Sequence, residues 1–245
     1  MQAFRIGRHV GAALDGIGFP RMARLLKSYA ALVCVLLGGA TFGCASDGRH
    51  PKVVCIGDSI TAGEGVKRRE SFVSLLAGAT RWTTLNQGRS GWSTSTYLAR
   101  RQAVVAAVPA DADMVLILLG TNDLLGGHTE TTVPNVASHI DQLTDLVHQR
   151  APKAEIVLMT PVSVFPSSLS VRLRQAGFDE QAPLFLKRMG DALRGLARRK
   201  GYRAVDLYSA VTADNTLDGV HPNAAGHRQI AEAILGALVG GSSAH

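Results

Sequence analysis

The chain reads as an α/β protein, a three-layer α/β/α sandwich built on a five-stranded parallel sheet. Three observations predict it. Five short, largely apolar segments look like strands, longer segments between them carry apolar residues at helical spacing, and glycines with small polar residues gather just beyond the strand-like runs. Short apolar strands that alternate with helices form parallel sheets buried on both faces.

In chain order the strands are Lys52 to Ile56, Thr83 to Asn86, Met114 to Leu119, Ile156 to Thr160 and Arg203 to Asp206. Pro134 to Arg150 reads as a helix because Val136, Ile140, Leu143 and Val147 fall on one face. Pro183 to Arg199 does the same with Phe185, Met189, Leu193 and Leu196, and Asn223 to Val239 with Ile230, Ile234 and Leu238. Ligands of such sheets bind beyond the carboxyl ends of the strands. The residues after Ile56, Leu85 and Leu119, and those before the last helix, are therefore the places to look for chemistry.

Composition narrows the class. Of 245 residues, 46% are hydrophobic and 18% charged, the profile of a chain that folds around a core. The net charge is +7, but six basic and two acidic residues before position 50 carry +4 of it. The remaining surplus is scattered rather than striped, which argues against nucleic acid as a partner.

Residues 1–45 read as an export signal region. Arg21, Arg24 and Lys27 precede an uncharged run from Tyr29 to Phe42, 14 residues long, shorter than the roughly 20 that span a bilayer as a helix. Met22 would give this leader a conventional start, with the residues before it an upstream extension. Thr41-Phe42-Gly43-Cys44 resembles a bacterial lipoprotein box, although Thr41 stands where that box has an aliphatic residue. Two outcomes are open: lipidation of Cys44, with membrane attachment, or ordinary cleavage after Ala45. Either predicts a periplasmic or extracellular product. Residues 46–51 then form a linker, 52–240 a single domain and 241–245 a tail. Cys34 and Cys44 fall in or beside the leader, so Cys55 is expected to be a small core residue rather than half of a disulfide.

Four segments lie where ligands are expected. Gly57-Asp58-Ser59-Ile60 follows the first strand; alone, a serine beside a glycine reads as a turn or a cap. Asn86-Gln87-Gly88-Arg89-Ser90-Gly91 follows the second strand and Gly120-Thr121-Asn122-Asp123 the third, both supplying amide donors of the kind a developing oxyanion needs. Asp218-Gly219-Val220-His221 places a carboxylate and an imidazole on one short loop, where the acid can orient the ring.

Together, and in this order, these blocks closely resemble those of the SGNH hydrolases, also called the GDSL esterase/lipase family, over Val53 to Val239. The resemblance implies a flavodoxin-like sheet of order 2-1-3-4-5 and ester hydrolysis through an acyl-enzyme. It also implies Ser59 as nucleophile, Asp218 and His221 as acid and base, and an oxyanion hole made by Ser59, Gly91 and Asn122. Ile60 replaces the leucine of the family name. No cofactor or metal is implied, and the sequence carries neither a Cys/His ligand cluster nor a P-loop. A dinucleotide fingerprint fails on the spacing of Gly57, Gly63 and Gly65.

Asp58 and Asp123 are expected to bond local backbone and hold two loops together rather than act as acids. His128, His139, His148 and His227 are given no catalytic role, and Lys67 to Arg69 reads as a solvated loop. Trp92, beside the oxyanion glycine, either packs beneath its loop or lines a subsite. Residues Val162 to Gln181 form an irregular insertion expected to choose the substrate, with Arg172 and Arg174 for an anionic group and Phe165, Leu169, Val171 and Phe178 for an acyl chain. The leading expectation is an exported esterase for short acyl groups, with O-acetyl groups on a carbohydrate as substrate. A lysophospholipase or thioesterase for longer chains, and a non-catalytic carbohydrate- or envelope-binding protein, are the alternatives. The natural ester and the oligomeric state are not legible.

Overall fold

The computed structural model describes residues 49–239. The export signal region, Met22, Cys44 and the tail at 241–245 lie outside the described residues.

Five parallel strands, β1 (Lys52–Gly57), β2 (Thr83–Gly88), β3 (Met114–Leu118), β4 (Glu155–Met159) and β5 (Arg203–Val205), form one sheet in the order β2-β1-β3-β4-β5. Each strand falls within two residues of the segment expected from sequence. The three inner strands are buried along nearly their whole length, whereas the edge strand β2 is half-exposed and keeps polar residues. Successive side chains on a strand point to opposite faces. Beyond Lys52 and Glu155 at their amino ends, the inner strands are apolar and so supply two cores at once. Val54, Ile56, Val115, Ile117, Ile156 and Leu158 enter one core, while Val53, Cys55, Leu116, Leu118, Val157 and Met159 enter the other.

The first core is covered by α3 (Thr94–Ala99), α4 (Arg101–Ala107), α5 (Thr132–Arg150) and α7 (Ala182–Lys200), the second by α2 (Phe72–Ala79) and α8 (Ala224–Val239). The stripes expected on α5, α7 and α8 are all buried. The short helices α2, α3 and α4 lack a long periodic stripe, and only the connections they occupy were foreseeable. At the amino end of the sheet, Arg49 donates to both oxygens of Asp113 at 2.7 Å, pinning the linker to the strand ends opposite the site.

Cys55 behaves as expected. It is fully buried, and burial pushes its thiol up to about 12.

Candidate active site

The turn after β1 delivers Ser59. Asp58 caps the four-residue helix α1 (Ser59–Ala62), its Oδ1 accepting the Ile60 N–H at 3.0 Å, which leaves the Ser59 side chain at the carboxyl edge of the sheet. The loop after β2 is tied to this helix by Asn86, whose Nδ2 donates to the Thr61 carbonyl at 2.7 Å. From the other end of the chain, the segment before α8 brings in Asp218 and His221.

These residues meet in a hydrogen-bonded line. His221 Nε2 lies 3.0 Å from Ser59 Oγ, and its Nδ1 lies 2.8 Å from Asp218 Oδ2. The same carboxylate also accepts the main-chain N–H groups of His221 at 2.8 Å and Val220 at 3.1 Å through Oδ1. Burial pushes the Asp218 carboxyl upward, but the bonds from His221 outweigh it and hold the group below its ordinary value. Asp218 thus favours its anion, which accepts a hydrogen bond from His221 Nδ1 and leaves Nε2 facing the Ser59 hydroxyl.

The turns after β1, β2 and β3 also carry N–H donors. Asn122, on the 3₁₀ turn after β3, donates one Nδ2–H to the Trp92 carbonyl at 3.1 Å. That bond fixes the plane of the amide and leaves its second N–H unspent. Among the described residues, the main-chain N–H groups of Ser59 and Gly91 have no protein acceptor. Unspent donors on the turns that follow β1, β2 and β3 are of the kind a developing oxyanion requires.

Asp58 and Asp123 hold loops, as expected. Asp123 accepts the Thr94 N–H at 3.0 Å and the Thr94 hydroxyl at 2.6 Å, joining the Asn122 turn to the start of α3. Burial raises its carboxyl. Burial also pushes the Asp58 carboxyl up to about 6, against the opposing pull of the Ile60 N–H and His221. Two contributors were not anticipated. Thr94, buried, spends its only hydroxyl proton on Asp123, so His139 must donate from Nδ1 to the Thr94 oxygen at 2.9 Å. Tyr97 shares its hydroxyl proton between the carbonyls of Gly57 and Gln87, at 2.7 and 3.0 Å, welding the ends of β1 and β2. Neither a single threonine nor a tyrosine at a helical position carries a sequence signal for such a role.

The residues expected to contact substrate are placed less simply. The Trp92 ring meets Tyr97 edge-on at 5.1 Å and lies under the Arg100 guanidinium at 5.2 Å, which packs it beneath its loop. Arg174 is engaged by the Pro166 carbonyl and by Glu180, and Leu169 and Phe178 are spent in the core. Arg172 is exposed on the short helix α6 (Val171–Gln175), and among the described residues its side chain has no hydrogen-bonding partner. His227, six residues past His221, is fully buried against Phe72 rather than solvated.

With this geometry in view, a model of the GDSL-like lipase/acylhydrolase family matches residues 55–229, including all four motif blocks. The chain belongs to that family. This GDSL hydrolase is therefore an ester-hydrolysing enzyme of SGNH type. Solved structures of similar fold include a lipolytic protein of the G-D-S-L family from Veillonella parvula, 22% identical, covering 76% of this chain and 97% of that one, with a TM-score of 0.61. A carbohydrate acetylesterase from Sinorhizobium meliloti is 20% identical over 75% of this chain and 96% of its own, with a TM-score of 0.61. An acetylxylan esterase from Geobacillus stearothermophilus, solved as a catalytic mutant, is 22% identical over 77% and 94%, with a TM-score of 0.57. Among curated proteins, no match to the GDSL hydrolase is found.

Proposed function

We propose that the enzyme hydrolyses short-chain carboxylic esters through an acyl-enzyme on Ser59, with O-acetyl groups on a carbohydrate as the natural substrate class. The observation that carries the mechanism is the hydrogen-bonded line Ser59–His221–Asp218. His221 Nε2 removes the hydroxyl proton as Ser59 Oγ attacks the ester carbonyl. The N–H groups of Ser59 and Gly91 and the side-chain amide of Asn122 receive the negative oxygen. His221 then returns the proton to the departing alcohol, leaving the acyl group on Ser59. A water gives its proton to the same nitrogen, attacks the acyl carbon and releases the acid, and Ser59 recovers its hydrogen.

The acetyl-carbohydrate reading is supported by the activities of the Sinorhizobium and Geobacillus proteins named above. Export is supported by the basic, then apolar, pattern of the leader, ending either at lipidated Cys44 or after Ala45. The test is hydrolysis of p-nitrophenyl acetate, butyrate and octanoate and of acetylated glycans, with Ser59→Ala alongside. The reading predicts a kcat/KM that falls with acyl length. A maximum at octanoate would transfer the assignment to the long-chain class, and equal background rates for wild type and variant would end the catalytic reading.

A further inference from the structure

The insertion after β4 was expected to choose the substrate, yet its main chain is committed elsewhere. Its start is bound to the acid–base loop: the Phe165 N–H donates to the Gly219 carbonyl at 2.8 Å and the Ser170 N–H to the Asp218 carbonyl at 3.2 Å. Its end is bound to the loop carrying Asn122, where the Gly126 N–H donates to the Ala176 carbonyl at 2.8 Å. Both junctions are close main-chain contacts through glycines at positive φ. A Cβ on Gly219 (φ +87°) would stand 2.8 Å from the Leu169 nitrogen and 2.8 Å from the Phe165 oxygen; one on Gly177 (φ +114°) would stand 2.7 Å from the Gly127 nitrogen. At and beside the junctions, Val164, Leu169 and Phe178 are buried in the same core as Val220, the residue before His221.

We infer that residues 163–178 are a brace that holds the Asp218–His221 loop at a set distance from the Asn122 loop, with Ser170 and Gly219 as positioning residues for the reaction. The inference rests on the catalytic reading above. The proton relay and the amide donor come from loops far apart along the chain, and both must meet one tetrahedral centre. Misplacement of either by about 1 Å costs on the order of 10²-fold in rate. A brace anchored in the core and bonded to both loops fixes that separation without touching substrate.

Ser170 allows a clean test. Its main chain lies at φ −63° and ψ 154°, after Leu169 at φ −62° and ψ 127°, so proline fits the backbone there while deleting the N–H that donates to Asp218. Ser170 also caps α6 through its side chain, so Ser170→Pro is compared with Ser170→Ala, which loses the cap and keeps the N–H. Steady-state kinetics on p-nitrophenyl acetate, the thermal midpoint and the ¹H resonance of the His221 ring N–H are measured for both. The expected result is a kcat about 10- to 100-fold lower in Ser170→Pro than in Ser170→Ala, with KM within about twofold and the ring resonance weakened by exchange with solvent. Equal kcat and equal resonance in the two variants, whatever their thermal midpoints, would overturn the brace. If neither variant nor wild type hydrolyses any ester, the proposed function has failed, and the resonance comparison still decides the brace.

Discussion

Asp218 holds His221 at both ends of one residue: Oδ2 meets ring Nδ1 at 2.8 Å while Oδ1 accepts the main-chain N–H at 2.8 Å. An amide in this place cannot serve both contacts. If its oxygen faces the main-chain N–H, its NH₂ faces Nδ1, forcing the ring proton onto Nε2 and away from the work of accepting from Ser59. Asp218→Asn should therefore lower kcat by about 10²- to 10⁴-fold with little change in thermal midpoint, read by steady-state kinetics and calorimetry.

Removal of Ser59 or His221 by alanine should reduce kcat by about 10⁴- to 10⁶-fold, and the two losses should not add, because the residues act as a unit. Asn122→Ala should cost about 10²- to 10³-fold in kcat with KM nearly unchanged. A serine-directed fluorophosphonate should label Ser59 alone. Recovery of the label on another serine in peptide mapping would sink the nucleophile assignment.

The pH dependence of stability should show two opposed contributions. His227 accepts the Phe72 N–H on Nδ1, and burial lowers it to about 4. The unfolded chain therefore binds the extra proton first, so this contribution is whole above pH 6.5 and is lost as the pH falls from there through 4. Asp58, raised to about 6 by burial, does the reverse: the folded chain takes up the proton first, and stability is gained as the pH falls from 6 to 3.8. Each is worth about 3 kcal/mol. Urea midpoints between pH 4 and 7 should fall more steeply on acidification in Asp58→Asn than in wild type, and less steeply in His227→Asn. Parallel curves for all three proteins would contradict both assignments.

Cys55 lies in β1 with its thiol shut away from solvent and its pKa raised to about 12 by burial. In native protein it should resist maleimide over hours, then react fully in urea. Mass mapping of the peptide containing Cys55 reads both states.

Much of the fold was visible in order along the chain. β1, β3 and β4 are apolar beyond Lys52 and Glu155 because each of those side chains faces one of two cores, and the stripes on α5, α7 and α8 repeat at the helical period because one side of each helix lies on the sheet. The edge strand β2, written Thr-Thr-Leu-Asn-Gln-Gly, carries a weaker signal, because an edge has one neighbour and tolerates polar residues. The first three motif blocks were legible for a related reason, since each sits on a turn within a few residues of an apolar run, whereas Asp218 to His221 stood out as a carboxylate and an imidazole on one short loop before the last helix. The expectation of export rests on a segment outside the described residues.

From its residues alone the chain determined which segments would be strands and helices and which short loops carry the serine, the amide and the carboxylate–imidazole pair, since periodicity and turn chemistry are local properties; the roles expected of those groups came from the resemblance of the four blocks to the SGNH hydrolases. Only the tertiary structure decided that Ser59 and His221, 162 positions apart, stand 3.0 Å from one another, that Thr94 and His139 support Asp123, and that the insertion is bonded to two loops. Those relationships depend on where separate segments cross in space. A hydrogen bond between distant residues leaves no period and no spacing in the order of the amino acids.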